Sequence, residues 1–179
     1  MFIEELQQHV AIGSKEEAIA LSRIDRGFWN VISIHGVDEP RASLSHAQRV
    51  HHACFDDIEI DRPGSNLHAA TSEDVAQALG FADSIGRGAL LIHCRLGLSR
   101  SPALALAWIC RRIAAHENVA DAAVDVLLRL QLKAMPNLLI LRLGLGQFLQ
   151  KPEAAALALA LVEHPRLRAN RGRQQQGGL

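Results

Sequence analysis

A chain of 179 residues suits one domain with a full core and is short for two. Apolar residues make up 49% and charged residues 21%, and the formal net charge is zero. That composition is ordinary for a globular protein and favours neither nucleic acid nor an anionic membrane as partner.

Met1 to Glu5 lacks a basic start leading into an apolar core, so no secretory leader is expected. His9 to Ile12 is a candidate strand, with a short helix from Ser14 to Leu21 after it. Trp29 to Ile34 is rich in β-forming residues and ends at His35-Gly36, which predicts a strand. Val50 to Phe55 is a second such run, interrupted by His51 and His52. Thr71 offers a helix cap with acids in the first turn, and Val75, Ala78, Leu79, Ala82 and Ile85 then recur at helical spacing until Gly86. Ala89 to His93 is apolar on both faces, as in a central strand of a parallel sheet.

Ser101 to Ala115 is apolar nearly all round, with Pro102 in its first turn, and predicts a buried helix. Asn118 caps the next helix, where Val119, Ala122, Ala123, Val126, Leu127 and Leu130 form one stripe. Pro136-Asn137 separates it from a helix over Leu138 to Gln150, and Pro152 begins a short Ala/Leu helix. The apolar run from Ala154 to Val162 is too short to span a bilayer. From His164 the chain is basic and low in complexity, and residues 164–179 are expected to be a disordered tail.

Strands alternating with helices, then helices alone, predict an α/β domain over residues 1–163. Its core is a central, mostly parallel twisted sheet of about four or five strands flanked by helices, with a helical C-terminal half. Cys54, Cys94 and Cys110 are irregularly spaced, which is no disulfide framework and suits a reducing, cytoplasmic setting. Sixteen arginines against three lysines hint at a GC-rich bacterial genome.

The chemistry concentrates in residues 93–101, His-Cys-Arg-Leu-Gly-Leu-Ser-Arg-Ser. An apolar strand leads in and a long helix follows, so backbone amides and a helix dipole converge on one point. An anion of phosphate size fits there, cradled by the amides of Arg95, Leu96, Gly97, Leu98, Ser99 and Arg100. Cys94 lies at the floor, where the dipoles and Arg100 favour a thiolate nucleophile. Arg100 can hold two phosphoryl oxygens in a plane, which lysine cannot. His35, His46, His51, His52 and Cys54 crowd one region but lack a short paired ligand spacing, so neither a metal nor another cofactor is expected.

This loop resembles the signature of the cysteine-dependent protein tyrosine phosphatases, His-Cys-x-x-Gly-x-Ser-Arg-Ser, in its dual-specificity-like form. Residues 29 to 150 follow the order of a small single-domain member and look closest to short bacterial tyrosine-phosphatase-like proteins. The resemblance implies hydrolysis of a phosphorylated protein or small phosphomonoester through a phosphocysteine, with Ser101 stabilising the thiolate and His93 orienting the loop. It also implies an aspartate acid on a loop some thirty to forty residues before the cysteine. Asp57, in a matching Asp-Ile pair, is the first choice, ahead of Asp56 and Asp61. The absence of tyrosine departs from classical members, whose recognition loop carries one. The alternative is a pseudophosphatase that binds phospho-ligands with little turnover.

Overall fold

The computed structural model describes residues 1–60 and 66–176. A five-stranded sheet lies at the centre, in the order β1-β2-β5-β3-β4. Its strands are β1 (Phe2–Ile3), β2 (Gln8–Gly13), β3 (Trp29–His35), β4 (Arg49–Cys54) and β5 (Ala89–His93). β5 pairs in parallel with β2 and β3, and β3 with β4, while the short β1 joins β2 antiparallel. The run expected to be central is therefore central. Every residue of β5 is buried, as a strand covered on both faces must be.

Among the described residues, seven α-helices surround the sheet: α1 (Lys15–Ile24), α2 (Ser72–Ser84), α3 (Arg100–Arg112), α4 (Val119–Leu130), α5 (Leu138–Leu145), α6 (Lys151–Val162) and α7 (Pro165–Gln176). Ser14, Thr71, Asn118 and Asn137 each cap a helix through the side chain, satisfying amides that the first turn leaves free. α5 stops at Leu145 rather than running to Gln150, because Gly144 and Gly146 weaken it there.

The two faces of the sheet are unequally covered. On one, Ile32, Ile34, Leu90 and Ile92 meet a large core with α3 at its middle, where Ala103 through Ile109 are almost fully buried. On the other, Trp29, Val31, Ala89 and Leu91 pack with Ala18 of α1 and with Ala42 and Leu44 in a smaller cluster.

Over residues 165–176 the C-terminal segment corrects the expectation of a disordered tail; residues 177–179 of that expectation lie outside the described residues. Residues 165–176 form helix α7, with Leu167 only 1% exposed. The Asn170 side chain donates to the carbonyls of Leu132 and Ala134 at 2.9 and 3.0 Å, and Arg171 donates to Pro136 at 2.7 Å. Leu167, Asn170 and Arg171 stand at i, i+3 and i+4, so one face packs while the remaining arginines stay in solvent. Composition registers the charge of this segment but not the face. Among the described residues no helix is long and apolar enough to cross a membrane.

Candidate active site

The strand–loop–helix unit of β5, residues 94–99 and α3 builds the site. Gly97 turns the loop at φ +73°, and a Cβ there would lie 2.4 Å from the Gly13 carbonyl carbon, so only glycine fits. Three loop carbonyls are held by the surrounding chain. Arg95, Leu98 and Ser99 accept from the amides of Lys15, Met135 and Asn137 at 3.2, 2.7 and 3.4 Å. The amides of Arg95, Leu96, Leu98 and Ser99 find no backbone acceptor among the described residues. Ser99 occupies the N-cap of α3 but makes no capping bond, and its hydroxyl points instead to Asp57 Oδ1, to which it donates at 2.7 Å. Three engaged carbonyls, four amides without a backbone acceptor and an uncapped helix end leave a cluster of N–H groups among the described residues, which suits an anion.

Cys94 is 2% exposed. Its Sγ accepts from the Gly97 amide at 3.3 Å and the Ser101 hydroxyl at 3.2 Å. Above it opens a front cavity of about 540 Å³, whose lining includes Arg95, Leu96, Leu98, Ser99, Arg100 and Asp57. The Arg100 guanidinium is buried: Nη1 donates to the Phe55 carbonyl at 3.1 Å, and Nη2 to both Glu39 oxygens at 2.9 and 3.0 Å. Its Nε has no partner among the described residues. Burial alone would lower the pKa of Arg100, but the Glu39 carboxylate and Cys94 outweigh it and raise it. Burial would likewise raise the Glu39 carboxyl, yet bonds from Arg100 and the Gly36 amide hold it below the usual range.

The candidate acids separate. Asp57 lies at the cavity wall, where Oδ1 accepts from Ser99 and, at 2.9 Å, from Asn137 Nδ2. Asp56 turns away: Oδ2 accepts the His68 amide at 2.8 Å and Oδ1 packs against Gly36. Asp61 lies outside the described residues. His93 Nδ1 sits 3.3 Å from the Cys94 carbonyl, and burial pushes its pKa down to about 4, so the ring is neutral. The histidines that crowd the sequence do not gather at one point: His51 stacks on Phe81, while His35 and His52 meet edge to face with ring centres 6.2 Å apart. Among the described residues no three His, Cys, Asp or Glu side chains come together to hold a metal.

No protein-family model and no curated protein matches the chain. Solved structures do. Human DUSP28 superposes with a TM-score of 0.56 at 16% identity, over 92% of this chain and 94% of that one. A mouse putative dual specificity phosphatase, complexed with zinc tungstate, gives 0.57 at 19% identity, over 83% of this chain and 86% of that one. The chain has the fold of the tyrosine and dual-specificity phosphatases. Tk-PTP in its active form shares that fold, with a TM-score of 0.51 at 18% identity over 89% of this chain and 95% of that one.

Within this phosphatase fold, three side chains that the sequence reading passed over reach the cavity. Glu39 follows β3 and pairs with Arg100 across 61 positions, with no local signal to mark it. Asn137 falls at the expected break between two helices, but neither its bond to the Ile140 amide nor its bond to Asp57 is marked there. Arg171 reaches the cavity rim from α7, within the segment whose composition predicts disorder.

Proposed function

We propose that the protein hydrolyses phosphomonoesters, on a phosphorylated protein or a small molecule, through a phosphocysteine intermediate and without a metal cofactor. The observation that carries this reading is Cys94 Sγ, bonded by Gly97 and Ser101 at the floor of a cavity that Arg100 and Asp57 both line. The phosphoryl oxygens sit on the amides of residues 95–100, and the free Nε–H of Arg100 takes part in holding them. The Cys94 thiolate attacks phosphorus, the S–P bond forms and the bond to the leaving oxygen breaks. Asp57 gives that oxygen its proton. Two donors on Oδ1 leave Oδ2 to carry it. Water then attacks the phosphocysteine and returns a proton to Asp57, phosphate departs, and the Ser101 hydroxyl stabilises the released thiolate. Three free cysteines, one of them this nucleophile, suit a reducing compartment such as the cytoplasm.

An aryl phosphate assayed in excess chelator tests the reading, with rapid acid quench to trap the labelled phosphoenzyme. Cys94→Ser is expected to abolish turnover and trapping while binding of a phosphate analogue stays within about tenfold. Substantial hydrolysis by the serine variant would remove Cys94 from the mechanism. Wild-type protein that binds the analogue but neither traps nor turns over is the pseudophosphatase instead.

A further inference from the structure

The thinly covered face of the sheet holds a second cavity, of about 340 Å³, behind the phosphate loop. Along β3 the residues on this face run Trp29, Val31, Ser33, His35, and along β5 Ala89, Leu91, His93, with Ser33 directly beside His93 in the ladder. The first members of each row join the apolar cluster with α1. The last, Ser33, His35 and His93, line the cavity.

These three are deeply buried, at 0%, 8% and 2% exposure. Yet Ser33 Oγ, His35 Nε2 and His93 Nε2 have no hydrogen-bond partner among the described residues. Buried polar atoms almost always find one, and three orphans on one wall point to a partner that is not part of the chain.

The ring nitrogens define what that partner offers. His35 Nδ1 lies 3.0 Å from the Gly36 carbonyl and His93 Nδ1 lies 3.3 Å from the Cys94 carbonyl. A carbonyl only accepts, so each Nδ1 carries a proton, and in the neutral ring each Nε2 is then a bare lone pair. The wall thus presents two acceptors and a hydroxyl. Glu16 and Asp38 add carboxylates to the lining. Of the two cations there, Lys15 is engaged by the Pro40 carbonyl at 2.8 Å, and Arg95 lines the front cavity as well. The N-terminus of α1 is closed by a Ser14–Glu17 capping box, so it offers no free helix end to an anion. A metal ion would want a third ligand that does not converge here among the described residues.

We propose that this cavity binds a small molecule bearing N–H donors, a primary ammonium or an amide, which donates to His35 Nε2 and His93 Nε2 and bonds to Ser33 Oγ. Cys94, Arg95 and Glu39 line both cavities, so an occupant behind the loop shares side chains with one in front.

Long-range proton–nitrogen spectra of the histidine rings, recorded on the full chain, test this without reference to catalysis. His35 and His93 should each show a protonated Nδ1 and a bare Nε2. Titration with ethanolammonium or acetamide should move both Nε2 signals saturably, and acetate at equal ionic strength should not. His35→Phe, which also assigns its signal, should weaken binding of the responding probe about tenfold, as loss of one hydrogen bond to a charged or polar donor does. Ser33→Ala, followed through the His93 ring, serves if the phenylalanine variant melts early. A proton on either Nε2, equal binding of acetate, or rings that respond to neither donor probe would overturn the proposal.

Discussion

Residues 94–100 and residues 55–60 both reach the front cavity, but the chain holds them by different means. The first segment is held by its backbone, through Lys15, Met135 and Asn137 on its carbonyls and Gly97 pressed on Gly13. The second is held largely through its carboxylates: Asp56 on His68, Asp57 on Ser99 and Asn137, Glu59 on the Leu138 amide. A loop that binds with amides can take its shape from backbone geometry and glycine. A proton donor must be carried to its place by side chains from elsewhere. Substitutions in the first segment should therefore strike transition-state binding, and those in the second should strike proton transfer alone.

The largest effect is expected from Arg100→Lys. A single ammonium cannot keep Glu39, the Phe55 carbonyl and a phosphoryl group together, so kcat/KM should fall about 10³-fold or more for every substrate. A near-wild-type lysine variant would show that charge alone suffices and would remove the geometric side of the contrast.

Next comes Asp57→Asn, which can keep the bonds from Ser99 and Asn137 while losing the proton. Rates should drop about 10²-fold or more for poor leaving groups and far less for an activated aryl phosphate, and the basic limb of the pH profile should flatten. Asp56→Asn, measured beside it, should cost less than about tenfold and keep that limb. If Asp56 instead shows the leaving-group dependence, the carboxylate at the cavity wall is not the acid.

Glu39→Gln should cost about tenfold, since Arg100 keeps its charge and its Phe55 contact but loses the ion pair. The Glu39 carboxyl is held below its ordinary range, so the pair stabilises the fold above that range and is lost only as pH falls through the depressed folded value. A glutamine variant that matches wild type in the pH dependence of stability would show that Glu39 contributes shape only.

The smallest effect on catalysis, and a clear one on stability, belongs to His93. Its folded pKa of about 4 lies below the unfolded 6.5, so the unfolded chain alone takes up a proton between those values. Stability should be full above pH 6.5 and decline toward pH 4, by about 3 kcal/mol at most. Denaturant titrations across that window should show the slope in wild type and its loss in His93→Gln. An equal slope in both would place the neutral histidine elsewhere.

What is local can be read along the chain. Strand periodicity, the caps at Thr71 and Asn118, and the apolar helix after Ser101 each rest on residues within a turn or two, so their elements appear where expected. The strand–loop–helix placement of residues 93–101 is local for the same reason: cysteine, glycine turn and arginine lie within nine positions, between a strand and a helix. The Asp-Ile pair ranks Asp57 ahead of Asp56 by resemblance only; their places relative to the cavity are set by tertiary partners, His68 on Asp56 and Ser99 and Asn137 on Asp57. Tertiary structure alone paired Glu39 with Arg100, ordered α7 through a face of Leu167, Asn170 and Arg171, and gathered Ser33, His35 and His93 behind the loop. Contacts between positions tens of residues apart leave no periodicity in the chain, and they form only when the sheet order brings the strand ends together.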